Sequence, residues 1–297
     1  MPVSPITQQY PTTAYLTVDE YLAAPTSVDT TNLVDDGNSA SQLAMLATQI
    51  SRASSAADTY CGQILSATVD VDNGWCRWQS GKGLRVICRY NPVIEVQAFA
   101  LATNPAFPAQ TTSITAIDQI IFDSGQVFTV PIGGGLPTSS FGGVSIAPNK
   151  QFFCQWTYVN GYANTLLAAD VAVGDVSLTV VDATGIYPGH PLRIFDPLNA
   201  ADENLIVSAV TGTTVSLGAP LTFAHAAGVG VSALPPAIKQ AVVQLTSALI
   251  NARGDEAIVL ASISMPGGEQ TQSKSVSREM EMATMLLDPF RSVGVRR

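Results

Sequence analysis

The most regular pattern of apolar residues in the chain lies between Ser39 and Gly62. Its apolar positions are three and four residues apart, which places them on one side of an α-helix. Asn38 or Ser39 can cap the start of this helix, and Gly62 can end it. Alanine is frequent on the apolar side, so that a second helix can approach closely. We predict a long helix with a packing face formed by Leu43, Leu46, Ile50, Ala53 and Ala57.

The same spacing returns far along the chain, between Pro236 and Ile263. It predicts a second long helix that packs against the first. A shorter amphipathic helix is predicted over 276–288, where Pro289 ends it. Thr17 and Glu20 have the spacing of a capping box, which predicts a brief helix before Pro25. The packing face of the second long helix is formed by Ile238, Val242, Leu245 and Leu249.

Between the two long helices, the pattern changes to the alternation that is typical of β-strands. Strands are predicted in 68–79 and 84–101 around turns at Asn73-Gly74 and Gly81-Lys82-Gly83. A hairpin is predicted over Asp123-Ser124-Gly125. Residues 166–232 alternate in short segments with a turn between each pair, which predicts a small barrel or sandwich.

These patterns together predict an α+β fold. Its core would be a helical bundle of two long helices and a shorter C-terminal helix, with β-strands between them and an inserted small all-β domain, either a barrel or a sandwich. The predicted domains are 1–165 for the N-terminal arm, helix and β region, 166–232 for the inserted domain, and 233–297 for the C-terminal helices and tail.

The low charge content favours a protein that contacts other subunits over one that binds nucleic acid. Only 12% of the residues are charged and the net charge is −9. Such a low fraction suggests that much of the surface faces other subunits, and a basic surface that grips nucleic acid is not expected. The polar, proline-rich start does not resemble a signal peptide, and no apolar segment is long enough to cross a membrane, so we expect a soluble cytoplasmic product.

The sequence offers few candidates for chemistry. No Lys-Ser/Thr follows Gly133-Gly134-Gly135, so this segment is interpreted as a loop and not a phosphate site. His190 and His225 are the only histidines, and no ligand spacing accompanies them. The four cysteines are expected to be reduced and buried. We therefore expect no enzyme activity, no cofactor and no metal.

Two pairs of carboxylates are candidates for acid–base chemistry. Asp35 and Asp36 form one pair, and Asp70 and Asp72 form the other. Both pairs occur where a turn or strand edge is predicted, so a solvated surface is the preferred interpretation.

Several segments resemble the head-tail connector (adaptor) proteins of tailed bacteriophages. They are YLTVDEYLAA, ISRASSAADTYCG, RYNPVIEV, WTYVNGY, PPAIKQAVVQLTSALINAR and MLLDPFRSVGVRR. The resemblance implies a virion structural protein of the neck, made in the host cytoplasm, that forms a ring, typically a dodecamer, between the portal and the tail. DNA would pass through its lumen without specific binding.

The resemblance also implies partners and a docking element. The partners would be further copies of the chain, the portal protein and a downstream neck or tail protein, such as a stopper or tail terminator; no membrane is implied. A C-terminal tail would reach into the portal, with an apolar anchor and arginines as charge partners. Carried onto this chain, that tail comprises Phe290, Arg291, Val293, Val295, Arg296 and Arg297.

An alternative is a virion binding protein whose 166–232 block recognises a host surface ligand such as a polysaccharide. Sugar sites usually present exposed aromatic rings. The aromatic residues of this block are Tyr187, Phe195 and Phe223.

Overall fold

The computed structural model describes residues 13–35, 37–79, 83–102, 112–114, 120–131, 151–252 and 274–292. The predictions for the N-terminal arm, for Asp36, for the loop with Gly133-Gly134-Gly135 and for the segment after Ala252 lie outside the described residues.

Four α-helices and thirteen strands are present in the described part of the chain. The helices are α1 (Val18–Ala23), α2 (Ser39–Cys61), α3 (Pro236–Asn251) and α4 (Lys274–Leu287). The strands are β1 (Thr68–Gln79), β2 (Gly83–Ile87), β3 (Val93–Ala102), β4 (Thr112–Ile114), β5 (Ile121–Ser124), β6 (Val127–Val130), β7 (Gln151–Asn160), β8 (Asn164–Leu166), β9 (Ser177–Thr179), β10 (Pro191–Phe195), β11 (Glu203–Thr211), β12 (Thr214–Leu217) and β13 (Gly230–Ser232).

The predicted fold class is wrong. The described chain is mostly β, in two antiparallel sheets of seven and six strands, and no helical bundle of two long helices forms its core. α2 has 23 residues, whereas α3 has 16 and ends at Asn251. Two of the three apolar clusters in the described residues belong to the sheets. The segments between the helices therefore build cores of their own and do not merely connect helices.

The first sheet has the order β4-β3-β7-β1-β2-β6-β5. The turn predicted at Asn73-Gly74 is wrong, because β1 continues through it in register with Gln155 and Cys154 of β7. The hairpin over Asp123-Ser124-Gly125 is present, with β5 and β6 on either side. The inner side of this sheet packs Phe99, Phe128 and Trp156, whose ring centroids lie 6.2 to 6.5 Å apart.

The second sheet has the order β8-β13-β10-β11-β12-β9. Its two edge strands also meet: Ala168 N–H donates to the Thr179 carbonyl at 2.8 Å, and Val181 N–H donates to the Leu166 carbonyl at 3.0 Å. The sheet therefore curls until its edges are joined, which leaves fewer unpaired backbone groups. Its interior is aliphatic, with Leu178, Ile194, Val215 and Val231 fully or almost fully buried.

The helices share one apolar cluster. The Asn38 side chain accepts a hydrogen bond from Ala40 N–H at 2.9 Å and caps α2, and Gly62 ends the helix with a φ of 67°. The capping box of Thr17 and Glu20 is present at α1. Cap and stop signals are local interactions, which explains why the sequence predicted these helix ends.

Backbone contacts divide the chain into two compact units. One contains the first sheet, within 67–161, together with Ser292; the other contains 13–66 and 162–291, with the helices and the second sheet. The three predicted domains stay a prediction. No helix in the described ranges has the length and apolar character needed to cross a membrane.

Candidate functional site

The predicted packing faces of the long helices lie mostly inside the chain. Seven of the nine residues are buried in the helical cluster, and Leu249 is partly buried against it. Leu43 is the exception, with 47% of its surface exposed. The seven buried residues are Leu46, Ile50, Ala53, Ala57, Ile238, Val242 and Leu245. They join α2 to α3 within one chain, so contact of these faces with another subunit stays a prediction.

The opposite side of α2 is exposed and almost uncharged. We call it the outer side of α2 and define it by Ser39, Ala40, Leu43, Ala44, Ala47, Thr48, Ser51, Arg52, Ser55 and Thr59, all of which are exposed. Arg52 is the only charged residue of this set. An isolated surface helix usually carries many charged residues on its solvent side. This side instead offers alanine, serine and threonine, which allow another helix to approach closely.

The start of the predicted portal-docking tail packs against its own unit. The Phe290 ring makes an edge contact with Tyr162, with centroids 6.3 Å apart, and the Phe290 carbonyl accepts a hydrogen bond from Gln63 Nε2 at 3.0 Å. The guanidinium of Arg291 lies 5.3 Å from the centre of the Tyr60 ring. Phe290 and Arg291 therefore hold the end of α4 in place. The rest of the tail, comprising Val293, Val295, Arg296 and Arg297, lies outside the described residues.

α4 exposes two methionines. Ala283 and Leu287 face the helical cluster, whereas Met285 is 76% exposed and Met282 is also exposed. Unbranched, polarisable methionine side chains adapt to varied partner surfaces. Met282 and Met285 therefore form a second exposed apolar surface on the helices, in addition to the outer side of α2.

A buried histidine links two carboxylates in the second sheet. His225 Nδ1 lies 3.1 Å from Asp196 Oδ2, and His225 Nε2 lies 3.5 Å from Glu203 Oε2. The imidazole side chain has no exposed surface. The ring can donate to both carboxylates only as an imidazolium, because neutral imidazole has one N–H. Since the ring has no exposed surface, this arrangement is a structural link within the second sheet.

His190 lies elsewhere, against Tyr187. The two rings have centroids 3.9 Å apart, and the Tyr187 hydroxyl is hydrogen-bonded to His190 Nε2. The histidines are thus in separate environments. No group of three or more potential ligands suited to a metal is found among the described His, Cys, Asp and Glu residues.

The expected solvation of Asp70 and Asp72 is wrong. Both are buried in the first sheet. Asp70 Oδ2 accepts hydrogen bonds from Asn160 Nδ2 at 2.7 Å and from the Thr68 hydroxyl at 2.9 Å. Asp72 Oδ2 accepts from the Tyr158 hydroxyl at 2.9 Å. Buried carboxylates are retained when such donors replace water, so these residues hold strands together.

A buried ion pair lies beside the second sheet. Lys239 Nζ of α3 is 2.5 Å from Glu20 Oε1 of α1 and 3.8 Å from the centre of the Phe195 ring. Burial lowers the pKa of Lys239, whereas Glu20 raises it. The Arg193 guanidinium also lies near the Phe195 ring, 4.8 Å from its centre. Phe195 is therefore engaged by two cations and does not form an open platform for a sugar.

All four cysteines are free and buried, as the sequence predicted: Cys61, Cys76, Cys88 and Cys154. Burial raises the pKa of Cys61 to about 12. A hydrogen bond with Cys76, followed by burial, raises the pKa of Cys154. Thiols in such surroundings are poor nucleophiles.

No family model matches the chain, and no curated protein matches it. Among solved structures, it is similar to the Gp54 tailspike of Acinetobacter baumannii bacteriophage AP22, which was determined in complex with A. baumannii capsular saccharide. The similarity has 23% identity, covers 25% of this chain and 15% of the tailspike, and has a TM-score of 0.22. At that TM-score, the likeness establishes neither a shared fold nor a shared function.

Proposed function

We propose that this chain is a structural protein of a tailed-phage virion, an adaptor that forms a ring between the portal and the tail and extends the DNA channel. The observation that carries the proposal is the outer side of α2, with one charged residue among its ten exposed positions. The resemblance of the sequence to head-tail connectors supplies the identity of the assembly.

The physical argument starts from the solvation of α2. Its inner side packs against α3 and α4, so that the helix is already anchored within its own unit. An outer side with only Arg52 charged is better suited to a neighbouring protein surface than to water. Small side chains let helices of neighbouring copies approach closely, and repetition of one such contact by rotation closes a ring.

The charge of the chain suits a channel through which DNA moves. The net charge is −9, and no basic surface was expected from the sequence. A ring wall that neutralised many phosphates would bind DNA tightly and release counterions. A neutral or acidic wall avoids that grip, so DNA can pass without specific binding.

The test places a charge on the outer side of α2. We expect Ala47→Glu to leave the protein folded but to prevent its assembly into particles, because a buried, unpaired carboxylate destabilises an interface. Ser208→Glu, at an exposed position of the second sheet, serves as the matched control. Assembly is measured by complementation of a phage that lacks the gene, followed by electron microscopy. Normal necks with Ala47→Glu would contradict the proposal.

Portal docking is assigned to the residues after Ser292. Phe290 and Arg291 pack within their own unit, so removal of 293–297 spares those contacts. We expect the truncated protein to fold with the same helix content and to lose binding to the portal protein of the same phage in a pull-down. If the truncated protein bound the portal protein as well as the full chain does, the tail would have no role in docking.

A second candidate function is recognition of a host surface ligand by the second sheet and its loops. It is favoured by exposed apolar side chains there, which are Val173, Val176, Val181, Ile206 and Phe223. Exposed apolar residues mark binding surfaces when they are contiguous. Binding of the full chain to a glycan array, together with its location on a fibre, would favour this function over the adaptor.

A further inference from the structure

The chain leaves the helix-containing unit through one short segment, residues 63–66, which directly follows α2. The unit is interrupted after Ser66 and resumes at Tyr162. These two places are joined, because Tyr162 N–H donates to the Leu65 carbonyl at 2.9 Å. Segment 63–66 is therefore the part of this unit from which the chain continues into the first sheet.

A buried tyrosine hydroxyl attaches segment 63–66 to α2. The Tyr15 O–H donates to Asp58 Oδ1 of α2. The same hydroxyl oxygen accepts hydrogen bonds from Leu65 N–H at 3.0 Å and from Ser66 N–H at 3.2 Å. Leu65 N–H also donates to Asp58 Oδ1 at 3.0 Å. Because Tyr15 and Asp58 are buried, the backbone of the segment depends on one tyrosine and one carboxylate, and water does not replace them.

The position of Asp58 disfavours a negative charge. It lies in the last turn of α2, which ends at Cys61 and has no basic residue in that turn. The macrodipole of a helix is negative at this end and opposes a carboxylate there. Oδ2 is buried and has no hydrogen-bond partner in the described residues. Burial accordingly raises the pKa of Asp58 to about 6, and the hydrogen bonds at Oδ1 offset only part of this rise.

The titratable groups around Asp58 do not compensate its charge. The pKa of Tyr15 is raised well above its ordinary value, first by burial and then by Asp58, so Tyr15 stays a neutral donor. One turn further along α2, burial and then Asp58 raise the pKa of Cys61 to about 12. The charged groups on the neighbouring helices α1, α3 and α4 pair with one another: Lys239 with Glu20, and Arg291 with Asp288.

We propose that Asp58 makes the attachment of segment 63–66 to α2 dependent on pH, with release favoured when the carboxylate is ionised. Release lets water reach Oδ2, which supplies the solvation that the buried carboxylate lacks. A proton on Oδ2 removes the charge, and Oδ1 can still accept both hydrogen bonds. Because the attached form holds the proton more tightly than the released form, attachment is strongest below pH ~4 and weakest above pH ~6. This inference does not depend on the proposed ring.

Hydrogen–deuterium exchange of the full chain tests the proposal at single amides. The amides of Leu65 and Ser66 report on release, because both donate to Tyr15. Protection is measured relative to the intrinsic exchange rate at each pH. We expect the protection of both amides to fall by up to about 100-fold between pH ~4 and pH ~7, because the pKa values of 3.8 and about 6 differ by about 2 and each unit is a factor of ten.

A third amide distinguishes release of the segment from unfolding of the unit. Leu167 is buried in the same unit, and its N–H donates to a backbone carbonyl at 2.9 Å. We expect Leu65 and Ser66 to be less protected than Leu167 at neutral pH, since release does not require the unit to unfold. Equal protection of the three amides at every pH, or protection of Leu65 and Ser66 that does not change with pH, would overturn the inference.

Substitutions assign the pH dependence to Asp58. Asp58→Asn keeps an accepting oxygen but cannot ionise, so we expect the high protection of Leu65 and Ser66 to persist at neutral pH. Asp35→Asn, at an exposed position of the same unit, is the matched control and should keep the pH dependence of the original protein. A pH dependence that persists in Asp58→Asn would belong to another group and would overturn the inference.

Tyr15→Phe gives an independent readout. It removes the hydroxyl that accepts the hydrogen bond from Ser66 N–H. We expect the Ser66 amide to lose protection at both pH values while the Leu167 amide stays protected. Unchanged protection of Ser66 would show that the tyrosine does not hold the segment and would also contradict the inference.

Discussion

Asp58 provides a test of the energetics of the helical cluster. It lies on α2 and is almost fully buried. Its Oδ1 atom accepts hydrogen bonds from the Tyr15 hydroxyl and from Leu65 N–H, whereas Oδ2 has no hydrogen-bond partner in the described residues. Burial raises the pKa of Asp58 from 3.8 to about 6, although the two hydrogen bonds lower it.

The sign and size of the effect follow from this pKa. Because the folded protein holds the proton more tightly than the unfolded chain, unfolding releases a proton between these two pKa values. The contribution of Asp58 to the free energy of unfolding therefore decreases as the pH rises from about 4 to about 6 and is constant above that range. The difference of 2.2 between 6 and 3.8 corresponds to about 3 kcal/mol.

The perturbation is Asp58→Asn. The amide oxygen can accept the same two hydrogen bonds, and the variant cannot ionise. We expect it to be more stable than the original protein by about 3 kcal/mol at neutral pH, with the difference disappearing near pH ~4.

The assay is urea unfolding monitored by far-ultraviolet circular dichroism, because Trp75, Trp78 and Trp156 lie in the other unit and do not report on α2. Asp35→Asn, at an exposed position, is the matched control and should follow the original protein at every pH. A constant difference between Asp58→Asn and the original protein across this pH range, or a loss of stability at neutral pH, would refute the reasoning.

Three further predictions concern other parts of the fold. Gly83→Ala should destabilise the first sheet by about 4 kcal/mol or more, because Gly83 has a φ of +121° and a Cβ there would lie 2.1 Å from the Val130 carbonyl oxygen. If the variant and the original protein had the same thermal unfolding curve by tryptophan fluorescence, the prediction would be contradicted. His225→Gln should cost about 3 to 5 kcal/mol in thermal unfolding, because the buried Asp196 and Glu203 would lose the imidazole that lies between them. A cost below about 1 kcal/mol would contradict this prediction. A thiol reagent at neutral pH should modify the four cysteines only after denaturation, because all four are buried; rapid reaction with the native protein would exclude their burial.

The two ends of α2 and the start of α1 were the most predictable features. The ends of α2 depend on Asn38 and Gly62, and the start of α1 depends on Thr17 and Glu20. Each of these interactions spans at most a few residues, so the sequence alone contains the information. The predicted fold class is wrong because many of the strands have only three to five residues, and such short strands have weak individual signals beside those of long helices.

The sides of the first sheet could not be assigned from the sequence. The alternation of Val69, Asp70, Val71 and Asp72 was visible, but alternation does not indicate which set is buried. Two of the donors that make burial of Asp70 and Asp72 favourable, Asn160 and Tyr158, come from β7, which is 90 and 86 residues away. Asp70 and Asp72 were therefore interpreted as solvated residues at a predicted turn or strand edge.

The contacts of His225 with the two carboxylates likewise could not be predicted from the sequence. Asp196 and Glu203 lie 29 and 22 residues before the histidine, and their approach depends on the curvature of the second sheet. Most of the outer side of α2, by contrast, follows from the helical spacing that predicted its inner side. Leu43 is the exception, because it was predicted on the inner side and is exposed.

The most direct test of the proposed adaptor is a cryo-electron microscopy map of the virion neck, with this chain identified by a fused label. The proposal predicts a closed ring of copies, directly below the portal, with the outer side of α2 against a neighbouring copy. Location of the chain on a tail fibre or spike, with no copy in the neck, would contradict it.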